Sequence, residues 1–249
     1  MNILFLFNTD VSPSAAGGAT NMTHVLAQAL SERFGCGVSL AFFNQHPVPS
    51  PIQNKIRITA PFNKDRFEAF LLDNGVNVII ISLLSKQNMR FLPDMYKLAH
   101  KHGIKVIQWF HMMPGYEIAN YGSFSRFWFA VKTRKRISVH FRHLLLTWLR
   151  VVIRPLARLY LRPKYRLLYD NCDACVLLSP HFIPDFMRIA GRKTGKCCAI
   201  GNALTLENYI TPEALTQKQK EVLIVSRLDE PMKRLSLALK IWREIEREE

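Results

Sequence analysis

Asn2-Ile-Leu-Phe-Leu-Phe7 and Val38-Ser-Leu-Ala-Phe-Phe43, with one helical stretch between them, decide the fold. Ile3 to Phe7 and Val38 to Phe43 are short apolar runs of strand character. From about Thr20 to Phe34 the pattern turns helical, with Val25, Leu26, Ala29 and Leu30 on its inner side. Gly35 and Gly37 end that helix, as glycine does where the chain must leave helical geometry. The opening is therefore a βαβ unit. Ahead of the helix stands Pro13-Ser-Ala-Ala-Gly17-Gly18. Two glycines there let the backbone approach a ligand and aim amides at an anion, although a simple turn is the commoner use of such a pair.

The same alternation continues along the chain. Val78 to Ser82 and Val106 to Phe110 read as strands, separated by a helix from about Gln87 to His102 that Gly103 ends. Asp173 to Ser179 is a further strand, Pro180 opens a helix toward Ile189, and Cys197 to Ile200 is a short strand. Strands alternating with helices predict an α/β protein with layers about a parallel sheet. Gly201-Asn202 then begins a polar connector reaching to about Lys220, of the composition expected at a domain boundary. Beyond it Val222 to Val225 reads as a buried strand. A tight loop follows with Arg227 and Lys233, and then an amphipathic helix with Leu235, Leu239, Trp242 and Ile245 at helical spacing.

Two of these features point to binding. Arg227 and Lys233 stand at the carboxyl end of a strand beside a helix amino terminus, an arrangement suited to a diphosphate. The bland alternative is two solvated charges. His111, in Gln108-Trp-Phe-His-Met-Met-Pro-Gly115, follows a strand at the end where doubly wound sheets place ligand-contacting groups. A lone histidine there is otherwise satisfied by loop carbonyls.

The formal net charge of +15 over 249 residues is concentrated: the stretch Arg126 to Arg166 holds twelve Lys and Arg and no Asp or Glu, so it supplies +12 of that net charge. Arg150, Arg154, Arg158 and Arg162 recur every fourth residue and predict a ridge along one helix face. Trp148, Leu156, Leu159 and Tyr160 are among the apolar residues interleaved with them, and Pro155 predicts a kink. A basic helix rich in Leu and Trp suits the headgroup region of an anionic membrane. Plain packing with solvated arginines competes with that reading. Nucleic acid fits less well, because the aromatic residues do not form an interleaved stacking platform.

With 49% hydrophobic residues the chain is well able to build a core. It shows neither a secretory leader nor a run of ~18 apolar residues, which together predict a cytoplasmic protein. Cys36, Cys172, Cys175, Cys197 and Cys198 are odd in number and read as reduced thiols. Cys175 and Cys198 fall in or beside apolar strand runs, where buried cysteine is ordinary. The paired spacing of a structural zinc site is missing, so no metal is expected.

The order of these features resembles the family-4 glycosyltransferases of the GT-B fold over nearly the whole chain. The shared features are a first strand, a Gly-Gly loop, a strand-end His, a strand ending in Ser179, an Ile-x-Asn crossover, and the strand, Arg and Lys of a second domain. Gly201 stands where the family often has Pro, and Arg234 replaces a common Gly. The resemblance implies an α/β fold whose Rossmann-like parallel sheet spans 1–204, with a basic amphipathic segment at 124–166. A linker would follow at 205–220, and 221–249 would be the first strand and helix of a second Rossmann-like domain. That domain's E-x₇-E element would lie beyond residue 249, so the chain is expected to be part of a longer enzyme or of a truncated gene, and inactive alone.

By the same resemblance, the activity is retaining transfer of a sugar from a nucleotide diphosphate sugar, in polysaccharide biosynthesis, to a cell-surface glycan or lipid-linked acceptor. Gly17, Gly18, Arg227 and Lys233 would bind the donor diphosphate, His111 would face the donor sugar, and Asn202 would mark the interdomain crossover. No cofactor is implied beyond the donor substrate. Preorganised cations and amides would stabilise the leaving diphosphate. If the basic segment contacts a membrane through Trp148, Arg150, Arg154, Arg158 and Arg162, the protein is peripheral on the inner face of the cell membrane. The alternatives are a non-catalytic membrane-associated binding protein and a GT-B sugar-nucleotide epimerase.

Overall fold

The computed structural model describes residues 1–10, 18–44, 52–82, 88–116, 150–193, 195–203, 224 and 235–248. Among them is an α/β fold built on an open seven-stranded sheet, consistent with a Rossmann-like architecture. The strands are β1 (Asn2–Thr9), β2 (Gly37–Asn44), β3 (Asn54–Arg57), β4 (Val78–Ile81), β5 (Lys105–Trp109), β6 (Ala174–Leu177) and β7 (Cys197–Ala199). Their spatial order is β3-β2-β1-β4-β5-β6-β7, and every neighbouring pair is parallel. The helices are α1 (Gly18–Phe34), α2 (Lys64–Asp73), α3 (Leu92–Lys101), α4 (Arg150–Asp170), α5 (Phe182–Ala190) and α6 (Leu235–Glu248).

Parallel strands buried on both faces need apolar residues at successive positions, and β1 supplies them, with Ile3 to Phe7 all buried. Ile3, Phe5 and Phe7 share one face with Leu40, Phe42, Ile80, Trp109 and Val176, and α1 packs there through Met22 and Ala27. Ala19, Leu26 and Leu30 lie at the margin of this cluster. Of the expected inner residues Val25, Leu26, Ala29 and Leu30, Leu26 and Leu30 pack against this cluster, and Met22 and Ala27 join them. Gly35, at φ +61°, closes the helix. Gly35 N–H bonds Ser31 O at 3.1 Å and Cys36 N–H reaches back six residues to Leu30 O at 3.0 Å, so carbonyls of the last turns are met.

The other face holds Leu4, Leu6, Ala41, Ile79, Ile81, Val106, Cys175 and Leu177. Past the end of β5, Phe110 meets Tyr165 of α4 and Phe186 of α5, with ring centroids 5.9 and 4.9 Å apart. Phe186 is fully buried, and burying such a ring contributes about 1.5–3 kcal/mol. Strand β3 and helix α2 are additions to the sequence reading. β3 is a four-residue edge strand, Asn-Lys-Ile-Arg, in which only Ile56 is buried, so it carries almost no apolar signal. Only Phe67 and Leu71 are buried in α2, capped at its start by the Asn63 side chain on Arg66 N–H at 2.9 Å. The expected helix ending at His102 is divided into a 3₁₀ turn, Asn88–Phe91, and α3, with proline in its first turn.

Met1–Tyr116 with Arg158–Thr205 forms one compact unit, and Glu117–Ala157 with Leu206–Glu249 forms another. The second contributes α6 to the description, where the expected amphipathic helix is found, with Leu239 and Ile245 exposed. The expected strand Val222 to Val225 lies outside the described residues apart from Ile224, which is exposed. Among the described residues no helix is long and apolar enough to cross a membrane.

Candidate functional site

In a doubly wound sheet the ligand crevice opens at the carboxyl ends of the strands, where the order of connection reverses. Here that point lies between β1 and β4: β2 and β3 extend to one side of β1, and the chain then returns to its other side. The residues at this edge are polar, although the strands that deliver them are not. Ser82 N–H bonds Leu6 O at 3.0 Å and so prolongs the β1–β4 ladder by one residue. Phe110 N–H bonds Val176 O at 2.9 Å and carries β5 on toward His111. Ser82 and His111 then meet, Ser82 Oγ lying 2.7 Å from His111 Nε2.

His111 is half-buried, and Trp109 packs against it with ring centroids 4.1 Å apart. Burial depresses its pKa from 6.5 to about 4, because a desolvated imidazolium is penalised. The ring is therefore neutral near pH 7. Its Nδ1 is buried and has no hydrogen-bond partner among the described residues, and Trp109 Nε1 is in the same position. Two further polar contacts line this edge. Asn88, from the turn before α3, donates from Nδ2 to Asn8 Oδ1 at 2.8 Å. Asp10, just past β1 and buried, takes an ion pair from Lys55 of β3 at 3.4 Å. Its own N–H bonds Asn44 O at 3.0 Å, so the ends of β1, β2 and β3 are tied together.

Of the residues the sequence singles out, His111 alone is brought into this polar constellation among the described ones. Gly18 is the first residue of α1 and exposed, and a methyl group added there would meet no protein atom within 4 Å. Asn202 follows β7 and is exposed. Gly17, Trp148, Arg227 and Lys233 lie outside the described residues. Arg150, Arg154 and Arg158 are in α4, which runs on through Pro155 as one helix. Arg162, the fourth position of the expected ridge, is half-buried. Its guanidinium lies against Gly191 at the carboxyl end of α5, so close that a Cβ there would fall 2.3 Å from Nη2. Arg166 Nε donates to Ala190 O at 3.1 Å on the same helix end. Both cations complement the negative end of the α5 dipole, which takes Arg162 away from an open ridge.

Sequence reading missed Ser82, Asn8, Asn88 and Asp10 as site residues. Their signal is weak but present: Ser82 ends an Ile-Ile-Ile run, and Asn8-Thr9-Asp10 ends the apolar run of β1. The cysteines are all free thiols. Cys175 of β6 stands in register with Cys197 of β7, and Cys197 Sγ lies 3.6 Å from Met187 Sδ. Contrary to the expectation from its apolar run, Cys198 is exposed, since β7 is an edge strand with one face open. Among the described residues no three His, Cys, Asp or Glu side chains are grouped so as to hold a metal ion.

A scan against protein-family models finds no match, and a search of the curated proteins finds none either.

Proposed function

We propose that the chain belongs to a retaining glycosyltransferase that takes its sugar from a nucleotide diphosphate sugar. The observation that supports this reading best is His111, neutral at the carboxyl edge of a parallel sheet beside the switch point, with one ring nitrogen held and the other unspent. A neutral imidazole suits a polyhydroxyl substrate, because it can orient a hydroxyl and carries no charge to pair with the donor's diphosphate. That diphosphate falls to Arg227 and Lys233, with the Gly17 and Gly18 amides as further donors. Negative charge grows on the leaving diphosphate in the transition state, so cations aimed there lower the barrier. An acceptor on a cell-surface glycan or a membrane lipid completes the reaction.

The test is calorimetric titration of the chain with UDP-glucose, GDP-mannose and ADP-glucose, together with Arg227→Ala and Lys233→Ala. Weak binding of one donor, lowered further by either substitution, is the expected result, because each removes a charge-assisted contact to the diphosphate. Binding that is equally tight after both substitutions sinks the reading. The second reading, contact with an anionic membrane, draws on one observation: Leu156, Leu159 and Tyr160 of the basic helix α4 are 56%, 60% and 61% exposed. Sedimentation with phosphatidylserine vesicles tests it. Binding should fall as salt rises, because surface attraction is screened over ~10 Å at 0.1 M. Donor-independent vesicle binding with no nucleotide affinity favours the membrane-binding protein over the enzyme.

A further inference from the structure

Residues paired in register on neighbouring strands present their side chains to the same face of a sheet. Leu6, Ile81, Gln108, Cys175 and Cys197 form one such row across β1, β4, β5, β6 and β7, and it ends in two thiols side by side. Adjacent strands lie roughly 4.8 Å apart, inside the span of about 4.4–6.8 Å between Cα atoms that a disulfide bridges. The two thiols differ in their surroundings. Cys175 is fully buried, whereas Cys197 is half-buried on β7, the edge strand of the described sheet. Its Sγ lies 3.6 Å from Met187 Sδ of α5. The hydrogen bond from the Cys175 thiol holds the Cys197 pKa below its ordinary value, while that bond and burial push the Cys175 pKa up. Cys197 is thus the readier nucleophile, and Cys175 keeps its proton. The remaining neighbours are placed less well. Cys198 stands in register with Val176 and faces the opposite side of the sheet from Cys197. Cys172 precedes β6, and its Sγ is turned to Tyr169 O at 3.4 Å.

We propose that Cys197 is a peroxide-reactive thiol and Cys175 its resolving partner, the two closing a disulfide between β6 and β7. The Cys197 thiolate attacks one oxygen of hydrogen peroxide. An S–O bond forms, the O–O bond breaks, and the departing hydroxide takes up the proton that Cys197 released. Cys197 is then a sulfenic acid, the oxidation state from which an adjacent thiol condenses to a disulfide. The Cys175 sulfur attacks the Cys197 sulfur and gives up its proton as the S–S bond forms and the S–O bond breaks, and a second water leaves. The two thiols have lost two electrons and the peroxide has gained them. Exchange with a reduced dithiol reverses the change. The disulfide fastens the edge strand that leads into exposed Gly201 and Asn202. The chemistry needs no sugar nucleotide, so it stands apart from the glycosyltransferase reading.

The experiment treats the folded chain at pH 7.5 with a small excess of hydrogen peroxide and quenches with catalase. Remaining thiols are blocked with iodoacetamide in denaturant, and tryptic mass spectrometry maps the disulfides. The expected product is a monomer in which the five free thiols have fallen to three, with peptides Leu167–Arg188 and Cys197–Lys218 joined. Fragmentation should place the bond on Cys175 and Cys197, and dithiothreitol should undo it. Cys198→Ser should keep the crosslink. Cys175→Ser should abolish it and leave a Cys197 sulfenic acid that dimedone labels. A bond through Cys172 or Cys198 overturns the proposal. So does oxidation that stops at Met187 sulfoxide or leaves all five thiols free. Should Cys175→Ser fail to fold, the disulfide map of the wild-type chain decides alone.

Discussion

Acidification should destabilise this fold through His111 in a pH window that its burial defines. The imidazole has a pKa of about 4 in the folded chain, against 6.5 when exposed, because the pocket formed with Trp109 and Ser82 penalises its charged form. Above pH 6.5 the ring is neutral in both states and contributes no pH dependence. Between 6.5 and about 4 the unfolded chain takes up a proton that the folded chain refuses, so stability falls as pH falls. Below about 4 both states are protonated and the effect levels off. With these two values the linkage relation gives a loss of roughly 1 kcal/mol at pH 6, about 2 kcal/mol at pH 5, and roughly 3 kcal/mol in total. The perturbation that isolates it is His111→Gln, which keeps a donor or acceptor near Ser82 but does not titrate. Urea midpoints of both proteins from pH 7.5 to 4.5 give the difference between the curves, so the other histidines cancel. The curves should converge as the pH falls, by about 2 kcal/mol at pH 5 relative to pH 7.5. Parallel curves, or a His111 ring signal that titrates near 6.5, would refute the burial argument and with it the neutral state of the ring.

Three further outcomes test the surroundings. Phe186→Ala removes the ring at the centre of the Phe110, Tyr165 and Tyr169 cluster and should cost about 3–5 kcal/mol in urea unfolding. Gly191→Ala places a Cβ at φ +61° and against the Arg162 guanidinium, so a loss of about 1–2 kcal/mol is expected by the same assay. With Ellman's reagent at pH 8, Cys198 and Cys197 should react quickly in the folded protein. Cys198 is exposed, and the Cys175 thiol hydrogen-bonded to Cys197 holds the Cys197 pKa below its ordinary value. Cys36, Cys172 and Cys175 should react only on unfolding, since all three are buried and burial pushes the Cys172 thiol up to about 11. Five equally fast thiols would contradict the packing of β6 and β7.

The amino-acid sequence by itself determined the element types of this protein wherever an element buries enough apolar surface to leave a pattern. Ile3 to Phe7 must be a buried strand, because apolar residues at consecutive positions are what a sheet covered on both sides requires. Gly35 and Gly103 mark helix ends, because left-handed backbone is open to them at little cost. The location of His111 at a strand end was legible for the same local reason. Tertiary structure alone decided which elements are neighbours. β3 and α2 were silent because an edge strand and a lightly buried helix need few apolar residues. The strand order, and with it the switch point between β1 and β4, depends on pairings that periodicity does not encode. Ser82 meets His111 across 29 residues and Asn88 meets Asn8 across 80, contacts set by sheet register and not by spacing. Arg162 illustrates the same limit: a basic residue at a fourfold repeat reads as solvated ridge, but in space it lies half-buried against Gly191 at the carboxyl end of α5. Local chemistry fixes what each segment becomes, and only the folded sheet fixes which polar groups are left to meet a ligand.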